Sequence, residues 1–149
     1  MEFVTFLLKA KLRTYATGGE GNERNLEDGT REMSYREGDF FYRDHYFGFN
    51  PFIGEEVVWE KDKAIWAMNY YGIVTDESIS AGDVYHFLQK AMQQITTERP
   101  FRGPNEYREG EFLYQDKSDG NVDQFSGEEK IFFQDRQVYF LKYHGGKVA

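Results

Sequence analysis

A chain of 149 residues suits one domain with a sizeable core, because a chain of this length buries roughly 70% of its unfolded surface. Its 14 Phe, 11 Tyr and 2 Trp can fill that core, while a net charge of −8 sets the summed field against phosphate backbones and anionic membranes, so neither nucleic acid nor membrane is an expected partner. Zero cysteines exclude disulfides, thiolate metal sites and thiol nucleophiles, and an acid at Glu2 with no long apolar run predicts a soluble, cytoplasmic protein.

In chain order, Phe3, Phe6, Leu7 and Ala10 recur at helical spacing and predict an N-terminal helix. Residues 17–33 are glycine-rich and charged, which reads as a surface loop or a lid over a pocket. Three aromatic and β-branched runs follow at 40–46, 57–60 and 65–74, with a tight turn at Asp62-Lys63. Val84, Phe87, Leu88, Ala91, Met92 and Ile95 predict a second helix, capped by Ser80 and Asp83. Arg99-Pro100-Phe101-Arg102-Gly103-Pro104 is a stiffened link in which Arg102 is placed to grip a carboxylate or phosphate. Strand-like runs recur at 112–115, 130–133 and 138–143, with a turn at Asp135-Arg136.

The second series repeats the first. Tyr35-Arg36-Glu37-Gly38-Asp39-Phe40-Phe41-Tyr42-Arg43-Asp44 laid over Tyr107-Arg108-Glu109-Gly110-Glu111-Phe112-Leu113-Tyr114-Gln115-Asp116 gives seven identities in ten. Gly54-Glu55-Glu56 then falls on Gly127-Glu128-Glu129, Tyr70 on Tyr143, and Phe6-Leu7 on Phe87-Leu88. Self-similarity at a long fixed offset predicts architecture before any local reading. The expectation is an α+β fold: one domain over residues 1–149, made of two αβββ repeats, about 1–76 and 78–149. The repeats are related by a pseudo-twofold axis, with antiparallel sheets, separate or fused, packed by the two helices. Alternation puts Trp66, Met68 and Tyr70 with Tyr139, Leu141 and Tyr143 beneath the helices, and Asn69 and Tyr71 with Lys142 and His144 on the opposite face.

The repeated Gly-Glu-Glu motifs are the leading functional candidates, since four carboxylates near one seam would raise one another's pKa or hold a hard cation. Adjacent strand acids point to opposite faces, so one of each pair at most serves a given site. His45, His86 and His144 show no ligand spacing, and no nucleophile elbow, phosphate loop or dinucleotide fingerprint occurs. No cofactor is implied. The site residues expected for a ligand are Glu55, Glu56, Trp59, Asn69, Tyr71, Arg102, Glu128, Glu129 and His144, with no metal assigned.

The segment Trp66-Ala67-Met68-Asn69-Tyr70-Tyr71-Gly72, joined by Phe52-x-Gly54-Glu55-Glu56, Arg102-Gly103-Pro104 and His144-Gly145-Gly146, resembles a prokaryotic family of domains of unknown function. Its members occur alone or behind XRE-type helix-turn-helix domains. The resemblance covers nearly the whole chain; it transfers no catalytic residue and implies a sensor or partner-binding role. The duplicated plan is also similar in outline to effector-binding domains of multidrug-responsive regulators and to vicinal-oxygen-chelate proteins. The latter build βαβββ units, and no strand fits ahead of a helix starting near Glu2. The leading expectation is a non-enzymatic domain that binds a small, cationic or polar amphipathic molecule between the repeats. A metal-dependent lyase, isomerase or hydrolase using Glu and His is the alternative, and a protein-interaction module the third; a homo-oligomer is compatible with any of them.

Overall fold

The computed structural model describes residues 2–14, 16 and 22–149, so Gly18, Gly19 and Gly21, and the lid expected of them, lie outside the described residues. The element order is α1 (Phe3–Arg13), β1 (Arg24–Asn25), β2 (Arg31–Glu37), β3 (Phe40–Gly48), β4 (Phe52–Glu60), β5 (Lys63–Val74), α2 (Ala81–Met92), β6 (Glu106–Glu109), β7 (Phe112–Asn121), β8 (Gln124–Phe133) and β9 (Arg136–Lys147). Both helices start where expected, and the Ser80 hydroxyl accepts the Asp83 N–H as the predicted cap.

The strands form one sheet in the order β1-β2-β3-β4-β5-β9-β8-β7-β6, every neighbour antiparallel. Each helix is followed by four main strands where the sequence suggested three. The additions, β2 and β6, carry Glu32, Arg36, Glu106 and Arg108, and lie towards the two ends of the sheet, where charged residues are common and weaken the apolar alternation that marks a strand. Part of the expected 17–33 loop is also ordered: β1 pairs with β2, and the Asp28 carboxylate accepts the Thr30 N–H beneath Gly29, which sits at φ 90°. The β4–β5 and β8–β9 hairpins turn on Lys61-Asp62 and Gln134-Asp135, one residue earlier than expected, with both residues of each pair at positive φ as a type I′ turn requires.

Both helices pack on one face. Phe6 stacks on Phe40 with ring centroids 5.0 Å apart, and Phe87 on Phe112 at 4.8 Å. Trp66, Met68, Tyr70, Tyr139, Leu141 and Tyr143 are buried on this face, as the alternation indicated. At the centre of the sheet β5 pairs with β9, with Tyr70 directly opposite Tyr143. Among the described residues, no helix is long and apolar enough to cross a membrane.

Candidate functional site

Beneath the helices, where apolar burial is the rule, lie four carboxylates. Asp44 and Glu56 are cross-strand partners on β3 and β4, and Asp116 and Glu129 are partners on β7 and β8; all four are buried. Burying charge is costly unless it is paired and hydrogen-bonded, so the partners decide what each carboxylate is.

Glu129 is held by the Arg102 fork, with Nε donating to Oε2 and Nη2 to Oε1 at 3.1 Å each. Tyr114 and Tyr139 hydroxyls add bonds of 2.6 and 3.0 Å. Glu56 instead receives the Lys11 ammonium and the Tyr42 hydroxyl on the same oxygen, Oε1, at 2.7 Å each, and its Oε2 has no hydrogen-bond partner among the described residues. The Lys11 ammonium also donates to the Phe101 carbonyl at 2.6 Å, tying α1 to the link after α2. Burial lowers the Lys11 pKa below the usual lysine range, and the Glu56 charge beside it works the other way.

Asp116 accepts the Tyr143 hydroxyl at 2.7 Å and lies 3.6 Å from the Arg99 guanidinium. Asp44 accepts the Tyr70 hydroxyl at 2.5 Å. No cation lies within ion-pair distance of Asp44 among the described residues. Burial, with the Glu56 charge adding to it, pushes the Asp44 carboxyl up to about 7; burial and the Glu129 charge push Asp116 to about 6. Burial also raises the tyrosines Tyr70, Tyr114 and Tyr139 well above their ordinary range, so all three act as hydrogen-bond donors.

The Gly-Glu-Glu motifs acquire a structural meaning here. A Cβ on Gly54 would stand 2.3 Å from the Tyr70 hydroxyl, and one on Gly127 would stand 2.1 Å from the Tyr143 ring. Each glycine makes room for a cross-strand tyrosine that reaches the aspartate, and the second glutamate turns inward to its cation.

Asp44 and Tyr70 open onto a cavity of about 210 Å³ between the first-half strands and α2, with Met33, Phe52, Tyr85 and Arg102 also in its wall. The sheet divides the nine residues expected from sequence. Glu56, Arg102 and Glu129 lie on the helix side, and of these Arg102 lines the cavity. Glu55, Asn69, Tyr71 and His144 share a second pocket, of about 490 Å³, on the opposite face with His45 and Lys142. Glu128 stands 3.9 Å from Lys142, and Trp59 packs on Phe41 at 5.5 Å with Arg43 above its ring. Among the described residues, no group of three or more His, Asp and Glu is arranged to hold a metal ion.

Asp44, Lys11, Tyr70 and Tyr85 were not among the expected residues. Signals for some were present: Asp44 and Tyr70 recur as Asp116 and Tyr143, and Lys11 follows Leu7 by four positions on the buried stripe of its helix. Neither a curated protein nor a solved structure matches the chain. A family profile described as a domain of unknown function (DUF5680) matches residues 44–148, and the chain belongs to that family.

Proposed function

We propose that the domain binds a small molecule in the cavity between the α2 flank and the face of β2 to β5, as a sensor-type module built from two repeats. The duplication reading is supported by the register. Tyr70 and Tyr143, equivalent by sequence, pair with each other across β5 and β9, which is where a twofold axis between repeats would pass. On that reading α2 and Arg102 come from the second repeat, and Asp44, Phe52 and Tyr70 from the first, so the cavity lies at the seam.

The observation that carries the reading is Asp44: a buried carboxyl on a cavity wall, hydrogen-bonded by Tyr70 and, among the described residues, without a cation at ion-pair distance. At about 210 Å³ the cavity falls below the roughly 300–1,000 Å³ usual for drug-sized ligands, which favours a compact molecule. The test is a thermal-shift screen of a chemically mixed fragment set against the wild type and Gln89→Trp, which places a ring in the cavity from α2. Fragments that stabilise the wild type and leave Gln89→Trp unmoved support the site. Identical shifts in both proteins, or none in the wild type, remove it.

A second reading, protein contact, rests on the uncovered face. Phe47, Ile53 and Tyr71 are 47%, 50% and 49% exposed and adjacent in register on β3, β4 and β5. Light scattering during size exclusion is expected to show Ile53→Lys as a smaller species than the wild type if this face joins two copies; equal masses remove self-association.

A further inference from the structure

The place in the second half that corresponds to the cavity is filled by the chain itself. The cavity wall includes Asp44, Tyr46, Phe52 and Tyr70, and their counterparts are Asp116, Ser118, Phe125 and Tyr143. Over these counterparts lies the link after α2. The Arg99 guanidinium donates to the Ser118 hydroxyl at 3.0 Å and the Asp116 carbonyl at 3.3 Å, and stands 3.6 Å from the Asp116 carboxylate. Two residues on, Phe101 stacks on Phe125 with centroids 4.4 Å apart and packs against Tyr143 at 6.3 Å. A cation on the aspartate and an aromatic ring on the Phe–Tyr pair therefore complete the second half.

We infer that the ligand of the first-half cavity is a small molecule carrying an amidinium or guanidinium beside an aromatic ring, its cation on Asp44 and its ring against Phe52 and Tyr85. This inference rests on reading the cavity as a ligand site. The cations already in the wall leave room for it. Arg102 is committed through its fork to Glu129, and the Arg31 guanidinium lies 3.9 Å from Glu23. Among the described residues Asp44 has no such neighbour, while Phe52, tilted on Tyr70 at 5.9 Å as Phe125 is on Tyr143 at 6.1 Å, offers a ring the surface that Phe101 meets opposite, with Tyr85 edge-on to Phe52 at 5.5 Å. A planar amidinium matches a carboxylate in two parallel hydrogen bonds, which a single ammonium does not.

Three probes of nearly one shape separate charge from fit: benzamidine, benzamide and benzoate, titrated calorimetrically at pH 8 into the wild type, Asp44→Asn and Asp116→Asn. Benzamidine is expected to bind the wild type at least tenfold more tightly than either analogue. Asp44→Asn is expected to erase that preference, and Asp116→Asn to retain it. The ranking on the wild type stands even if a variant does not fold. Equal affinities, or benzoate binding best, overturn the inference and leave the cavity reading intact. No binding of the three where screened fragments do bind overturns the inference alone; no binding of probes or fragments removes both.

Discussion

The two halves hold the same four side chains, Tyr42, Asp44, Glu56 and Tyr70 against Tyr114, Asp116, Glu129 and Tyr143, and partner them differently. In the second half every carboxylate is closed off: a guanidinium fork and two hydroxyls on Glu129, the Tyr143 and Tyr114 hydroxyls and the nearby Arg99 on Asp116. In the first half a single ammonium meets Glu56. Trp66 stands where Tyr139 supplies a hydroxyl, and its indole N–H is spent on the Val122 carbonyl. Asp44 faces a cavity. One half closes its carboxylates with its own side chains, whereas among the described residues Asp44 of the other meets no cation at ion-pair distance, and the proposed ligand site rests on that difference.

The largest expected effects come from the cations. Removing one partner of a buried ion pair strands the other and costs about 3–5 kcal/mol. Lys11→Met and Arg102→Met should each lower unfolding free energy by about that much in urea titrations. Lys11→Met should cost more, because Glu129 retains two tyrosine hydroxyls where Glu56 has Tyr42. Adding Glu56→Gln to Lys11→Met should recover much of the loss, and a loss under about 1 kcal/mol in either single variant breaks the comparison. Next come the glycines. Gly54→Ala and Gly127→Ala should each cost about 1–3 kcal/mol, since both tyrosine rings must move off their aspartates; unchanged urea midpoints would deny the rings their place.

Asp44→Asn should work in the other direction. The unfolded side chain titrates near 3.8 and the folded one near 7, where it faces Glu56, Tyr70, Arg102 and Lys11. Below pH about 4 the carboxyl is protonated in both states and has no effect on stability. As pH rises from there to 7 the fold must hold a proton that the unfolded chain releases, so the destabilising contribution grows and is complete above 7. Asp44→Asn should therefore be more stable than the wild type at pH 8, by up to roughly 4 kcal/mol, with the gain fading towards pH 4. A constant difference across that range would remove the buried titration. Smallest is Tyr139→Phe, which takes one hydroxyl from Glu129 and makes the second half resemble the first, at about 1 kcal/mol by thermal denaturation.

How much of this was legible depended on the kind of signal. Alternation along residues 66–70 and 139–143 assigned the buried face, because a two-residue period is fixed by the strand itself. The strands β2 and β6 escaped it, since near the sheet ends charged residues replace the apolar ones that mark the period. The repeated Gly-Glu-Glu was visible, yet its roles follow from Tyr70 and Tyr143 crossing over from the neighbouring strands, and from cations delivered by α1 and the link after α2. Spacing within a strand says which face an acid takes, not what waits there. The cavity was the least legible, because its wall is assembled from β2 to β5, α2 and Arg102, which no spacing within one segment brings together.

Methionine methyl groups report on that cavity directly, because Met33 and Met92 line it while Met68 lies beneath Lys11. In a 13C-methyl NMR titration with whichever of benzamidine, benzamide and benzoate binds tightest, Met33 and Met92 should shift together and saturate, with Met68 moving least. Saturation of the protein with both of those methyls unmoved would place the ligand elsewhere and contradict the account.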